Sequence, residues 1–111
     1  GYQDSFVRAI ALAEGRTWEE AYQDLCRQAL SQCDNPQSTS VAASYLSRYA
    51  VGTCQYFTRG KTPVKEFLVS HPSGAWVLQL GKGWASAVVD GVLMDTRNYI
   101  NKPIEVAWRL R

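Results

Sequence analysis

A chain of 111 residues, 46% hydrophobic and 12% aromatic, has the size and apolar content to close one core, which excludes a disordered segment. Its net charge of +2, with a pI near 8.5 and no basic cluster beyond Arg109, Leu110 and Arg111, is too weak to predict a nucleic-acid or membrane surface. No apolar run approaches the roughly 20 residues that span a bilayer. A basic-then-apolar leader pattern is also missing, so the chain reads as cytoplasmic. One histidine accompanies Cys26, Cys33 and Cys54, and no CxxC pair occurs. The expectation is free thiols, no metal and no cofactor, with Cys26 in the core and Cys33 beside a loop.

In chain order, Asp4 to Glu14 predicts a first helix with Phe6, Val7, Ile10, Ala11 and Ala13 on one side, ended by Gly15. Thr17 and Glu20 form a capping-box pattern. Behind it, Trp18, Ala21, Tyr22, Leu25, Ala29 and Leu30 repeat as a helical stripe. After the break at Asp34, Asn35 and Pro36, a shorter helix from Ser38 to Tyr49 is expected to bury Val41, Tyr45, Leu46 and Tyr49. Thr53 to Thr58 reads as a short strand. Thr62 as N-cap and Pro63 at the first helical position open a short helix with Val64, Phe67 and Leu68 as its core residues.

Strand texture follows: Ala75 to Leu80, Ala85 to Val89, Val92 to Asp95, and Ile104 to Leu110, with Asp90-Gly91 as a two-residue hairpin turn. Helices followed by an antiparallel meander predict one α+β domain, with the N-terminal helices packed on one face of a C-terminal sheet. No repeat, linker or Gly-rich phosphate loop is present.

The opening Asp4-Ser5-Phe6-Val7-Arg8-Ala9-Ile10 resembles the first helix of small papain-like cysteine-peptidase-fold proteins of bacteriophages and prophages, where Asp-Cys-Val-Val-Arg-Ala-Ile is the usual form. Gly15 to Tyr22, Thr62 to Leu68, His71-Pro72-Ser73-Gly74, and Ala87 to Gly91 with Asp95-Thr96 resemble the same family. The match spans most of the chain outside about residues 32 to 60. The resemblance implies a thiolate nucleophile at the helix N-terminus, activated by a strand histidine that an Asp or Asn orients.

This chain departs at both decisive positions. Ser5 stands for the cysteine and Trp84, after Gly83, for the histidine. Asp95 matches the orienting residue and Gln3 an oxyanion donor. An unassisted hydroxyl is a poor nucleophile at pH 7, so hydrolysis is expected to be absent. The resemblance then implies a non-catalytic accessory protein in the host bacterial cytoplasm that binds a bacterial protein. Trp84, Arg97, Tyr99, Trp108 and Arg109 are of the types that dominate interfaces; the plainer alternative is that half of these five are core.

Two rival readings stay open. One is a hydrolase that uses Ser5, or a thiol enzyme that uses Cys33 or Cys54 beside His71. Against it, His71 sits in a His-Pro-Ser-Gly stretch that reads as a surface turn, and Ser5 as an ordinary helix-start residue. The other is a nucleic-acid-binding module, for which the basic residues are scattered. A homodimer that hides apolar surface is a further open alternative.

Overall fold

The computed structural model describes residues 4–81, 83–95 and 98–111. Among them, four helices precede or flank a five-stranded antiparallel sheet: α1 Ser5–Glu14, α2 Trp18–Gln32, α3 Thr39–Tyr49, β1 Gln55–Tyr56, α4 Val64–Ser70, β2 Ala75–Gly81, β3 Trp84–Val89, β4 Val92–Leu93 and β5 Val106–Arg109. The chain is therefore α+β, with its N-terminal helices on a C-terminal sheet.

Helix α1 follows Asp4 at the N-cap and stops at Gly15, whose φ of 68° lets its N–H close on Ala11 and Leu12 carbonyls. Its buried side includes Ala9 and Ala13 beside Phe6, Val7 and Ile10. These small residues let the helix lie close against β3 and β2 while α2 packs behind it. In α2 the capping box is complete: Thr17 Oγ1 accepts from Glu20 N at 3.1 Å, and Glu20 Oε1 accepts from Thr17 N at 3.0 Å.

The α2 stripe is narrower than its sequence predicts. Ala21, Leu25 and Ala29 are buried, but Leu30 is 80% exposed, because one residue's turn carries it past the face that α1 and α3 cover. Trp18 and Tyr22 stack at 4.9 Å on the flank, and Cys26, expected in the core, is half-buried. Tyr49 is likewise exposed rather than core, lying beside Tyr45 at 4.7 Å.

The sheet order is β1-β5-β2-β3-β4. Strands β2, β3 and β4 form the expected meander, with Asp90 (φ 49°) and Gly91 (φ 77°) making the turn between β3 and β4. Strand β5 departs from it. It returns across the sheet to pair with β2, Val77 opposite Trp108, and with β1, Gln55 opposite Ala107.

Strand β2 becomes the centre and is buried on both faces. Ala75 and Val77 join Ala85, Ala87, Trp108 and the α1–α3 residues in one core cluster; Trp76, Leu78 and Leu80 join Val64, Phe67, Val88, Ile104 and Ala107 in another. The single-face expectation is thus corrected: α4 and the segment leading to β5 cover the second face. Both faces of a central strand that reads Ala-Trp-Val-Leu-Gln-Leu carry apolar side chains, so both require a cover. Thr62 is not the α4 N-cap. Pro63, extended at φ −74° and ψ 157°, holds that place, while the Thr62 carbonyl accepts from Ile104 N at 2.8 Å.

An ionic network ties the three N-terminal helices. Arg16 Nη1 donates to Asp24 Oδ2 at 2.6 Å and Glu14 Oε1 at 3.1 Å, Arg27 also bonds Asp24, and Tyr45 donates to Glu14 Oε2 at 2.8 Å. The Arg16 hydrogen bond, then its charge and that of Arg27, hold Asp24 below its ordinary 3.8. Burial, then the bond to Glu14, pushes Tyr45 above its ordinary 10.0.

For Asp24, the folded state binds its proton less readily than the unfolded state. Its contribution is complete above pH 3.8 and is lost as pH falls through the lower folded value. For Tyr45, the contribution is complete below pH 10.0 and declines as pH rises beyond it. Urea midpoints measured across pH should therefore form a plateau that falls on both sides. Arg16→Met should flatten the acid-side fall.

Candidate functional site

The first turn of α1 meets the start of β3 through Ser5. Its hydroxyl donates to the Gly83 carbonyl at 2.9 Å and accepts from Ala85 N at 3.0 Å. It thus brackets the peptide groups on both sides of Trp84, and the residue is only 5% exposed. The bracket accounts for a polar side chain at this buried position. In it, the Ser5 proton points at a carbonyl oxygen, which accepts a hydrogen bond but is no base at neutral pH. Nucleophilic attack needs that proton removed, so the arrangement stabilises the hydroxyl and does not activate it.

Asp95, which the resemblance would make an orienting residue, accepts from the Ser86 hydroxyl at 2.5 Å. Ser86 is 1% exposed, so this charge-assisted bond supplies its buried hydroxyl with an acceptor. Ser5 and Asp95 line one groove of about 70 Å³, together with Arg8, Ala9, Leu12, Ala85, Ser86 and Met94. Small-molecule sites usually offer about 300–1,000 Å³. This groove is too small for that and accommodates at most a protruding side chain. Leu12 and Met94, 42% and 39% exposed, form its apolar rim.

Trp84 does not line the groove. Its ring lies against Tyr99 with centroids 5.7 Å apart, and the Lys102 ammonium sits 5.2 Å from its centroid. Trp84 and Tyr99 are both half-buried, so they form an aromatic pair with part of its surface in water and a cation on its face. Trp108, expected among the contact residues, is a correction: it is 3% exposed, inside the first core cluster, with its indole N–H toward Ser47 Oγ at 3.4 Å. Its place on β5 opposite Val77 puts it under the helices. Arg97 and Gln3 lie outside the described residues.

His71 caps α4, half-buried, ahead of the exposed Pro72 and Ser73. Its ring stacks on Phe67 at 4.0 Å and meets the edge of Trp76 at 5.0 Å, while Nδ1 lies 2.9 Å from Ser70 Oγ and 3.2 Å from the Phe67 carbonyl. These contacts put it on the second face of the sheet, across from α1, and it makes no polar contact with Ser5, Cys33 or Cys54. Cys33 is exposed as the left-handed cap of α2; Cys54 packs against the first core cluster. Among the described residues, no group of three His, Cys, Asp or Glu side chains is placed to hold a metal ion, and no helix is long and apolar enough to cross a membrane. Several basic residues are already engaged, Arg16 and Arg27 by carboxylates and Arg109 over the Trp76 ring at 5.8 Å.

Comparison with known protein families, curated proteins and solved structures gave no match. Several members of this region, among them Arg8, Leu12, Ser86, Met94 and Lys102, are not anticipated as site residues from sequence. Only Ser86 carried a signal, as a lone hydroxyl in an apolar strand, where a buried partner is required.

Proposed function

We propose that this chain is a non-catalytic accessory protein of bacteriophage or prophage type, built on a degenerate cysteine-peptidase-like scaffold, that binds and modulates a host bacterial protein in the cytoplasm. The observation that carries the reading is the Ser5 bracket. The side chain at the nucleophile position spends its donor on Gly83 O and accepts from Ala85 N, and a tryptophan stands where the resemblance needs an imidazole. A scaffold so altered retains its surface as its usable asset. The partly exposed Trp84–Tyr99 pair under Lys102 supplies the rigid aromatic area that dominates binding energy when a partner excludes water from it.

The test is affinity capture from bacterial lysate with wild type, Trp84→Ala and Tyr99→Ala, followed by mass spectrometry. One partner held by wild type and lost with Trp84→Ala is the expected result; a hot-spot loss of about 2 kcal/mol or more lowers affinity at least roughly thirtyfold. Retention of nothing by wild type, or of the same proteins by all three, overturns the reading. The hydrolase alternative finds no support in the position of His71, and the nucleic-acid alternative none in the carboxylate-engaged arginines.

A further inference from the structure

Helices α2 and α3 flank a second pocket, open to solvent and of about 210 Å³, away from Ser5 and lined by Asp24, Arg27, Gln28, Ser31, Arg48 and Tyr49 together with the buried Tyr45. Two arginines against one aspartate leave its lining with a formal charge of +1. Asp24 is satisfied from elsewhere, by Arg16 at 2.6 Å as well as by Arg27. Tyr45 donates to Glu14, and Ser31 donates to the Gln28 carbonyl at 2.7 Å.

Arg48 is what remains. Among the described residues it makes no ion pair, and its guanidinium lies over the Tyr49 ring, 5.2 Å from the centroid. That stacking limits the freedom of the planar fork, so less entropy is lost when an oxyanion is gripped. The volume holds roughly seven waters at about 30 Å³ each, enough for a carboxylate with a short carbon stem.

We propose that the α2–α3 pocket binds a monoanionic carboxylate, gripped by Arg48 with help from the uncommitted N–H groups of Arg27 and with its stem against Tyr49. The charge balance favours this class over phosphate. One carboxylate neutralises a +1 lining, whereas a phosphate dianion leaves it negative beside Asp24. The carboxylate has two sources, a free small acid or an acidic side chain of a peptide.

The test is an NMR titration of the full chain at constant ionic strength and pH 8, with acetate, inorganic phosphate and an end-blocked Gly-Glu-Gly peptide as probes. Saturable millimolar shifts of the Gln28, Ser31 and Tyr49 amides with acetate or peptide are expected. They should weaken at least about tenfold in Arg48→Gln, since a charge-assisted hydrogen bond is lost, and remain in Arg8→Gln. Tighter binding of the peptide than of acetate identifies the source as a polypeptide; equal binding identifies a small acid; either upholds the site. No saturable shift, equal binding by Arg48→Gln, or phosphate binding tighter than both carboxylates overturns it. The amide spectrum of each variant reports directly that it is folded.

Discussion

Phe67→Ala should lower stability by about 3–5 kcal/mol, the range for truncating a buried phenylalanine. Phe67 is 1% exposed and is the hub of the second core cluster. Its ring meets His71 at 4.0 Å, Trp76 at 5.1 Å and Phe57 at 6.2 Å. Truncation leaves all three facing a void, and α4, a helix of seven residues, has few other buried anchors with which to collapse into it. Small domains hold about 5–15 kcal/mol in total, so the variant should unfold at a much lower urea concentration. Phe67→Leu, which keeps most of the volume, should lose far less. Equal midpoints for Phe67→Ala and wild type would show that α4 contributes little to the fold.

Ser5→Ala should cost about 2–3 kcal/mol, because the buried Ala85 N–H loses its acceptor and the Gly83 carbonyl its donor. For a domain of this size that is a fall of roughly 10 °C in melting temperature. A serine that only capped a helix on the surface would typically cost about 1 kcal/mol on substitution, so a loss at the upper end of the expected range marks the buried role. Ser5→Cys should fall between alanine and serine, since a thiol is a weak donor and weak acceptor. It should confer no peptidase activity, as no imidazole stands at this junction.

The most legible parts of the fold were those specified by neighbouring residues. Thr17 and Glu20 announce the capping box three residues apart. The Asp90-Gly91 pair requires two positive φ angles that few other dipeptides tolerate. Non-local partners were not legible. Nothing in Val106 to Arg109 states that it pairs with β2 and β1 rather than β4, and that return is what places Trp108 in the core instead of at a contact surface. His71 read as a turn residue because Pro72, Ser73 and Gly74 follow it; its stack on Phe67 depends on where α4 lands on the sheet. Leu30 and Tyr49 follow the helical period, but the period cannot say how wide a face the neighbouring helices cover.

The candidate site divides in the same way. The place of Ser5 at a helix start is visible in sequence, but its bonds are not, because the partners lie about eighty positions away in Gly83 and Ala85. Nothing near Asp95 in sequence marks Ser86, nine positions away, as the hydroxyl that donates to it. Both bonds hold β3 in place, Ser5 at its first residues and Asp95 at Ser86.

Intact-mass analysis after incubation with a serine-directed fluorophosphonate tests the absence of catalysis most directly. Ser5 should stay unmodified at probe concentrations that label a serine hydrolase completely. Stoichiometric addition mapped to Ser5 would contradict it, because it would show that a base reaches a hydroxyl assigned here to the Gly83 carbonyl.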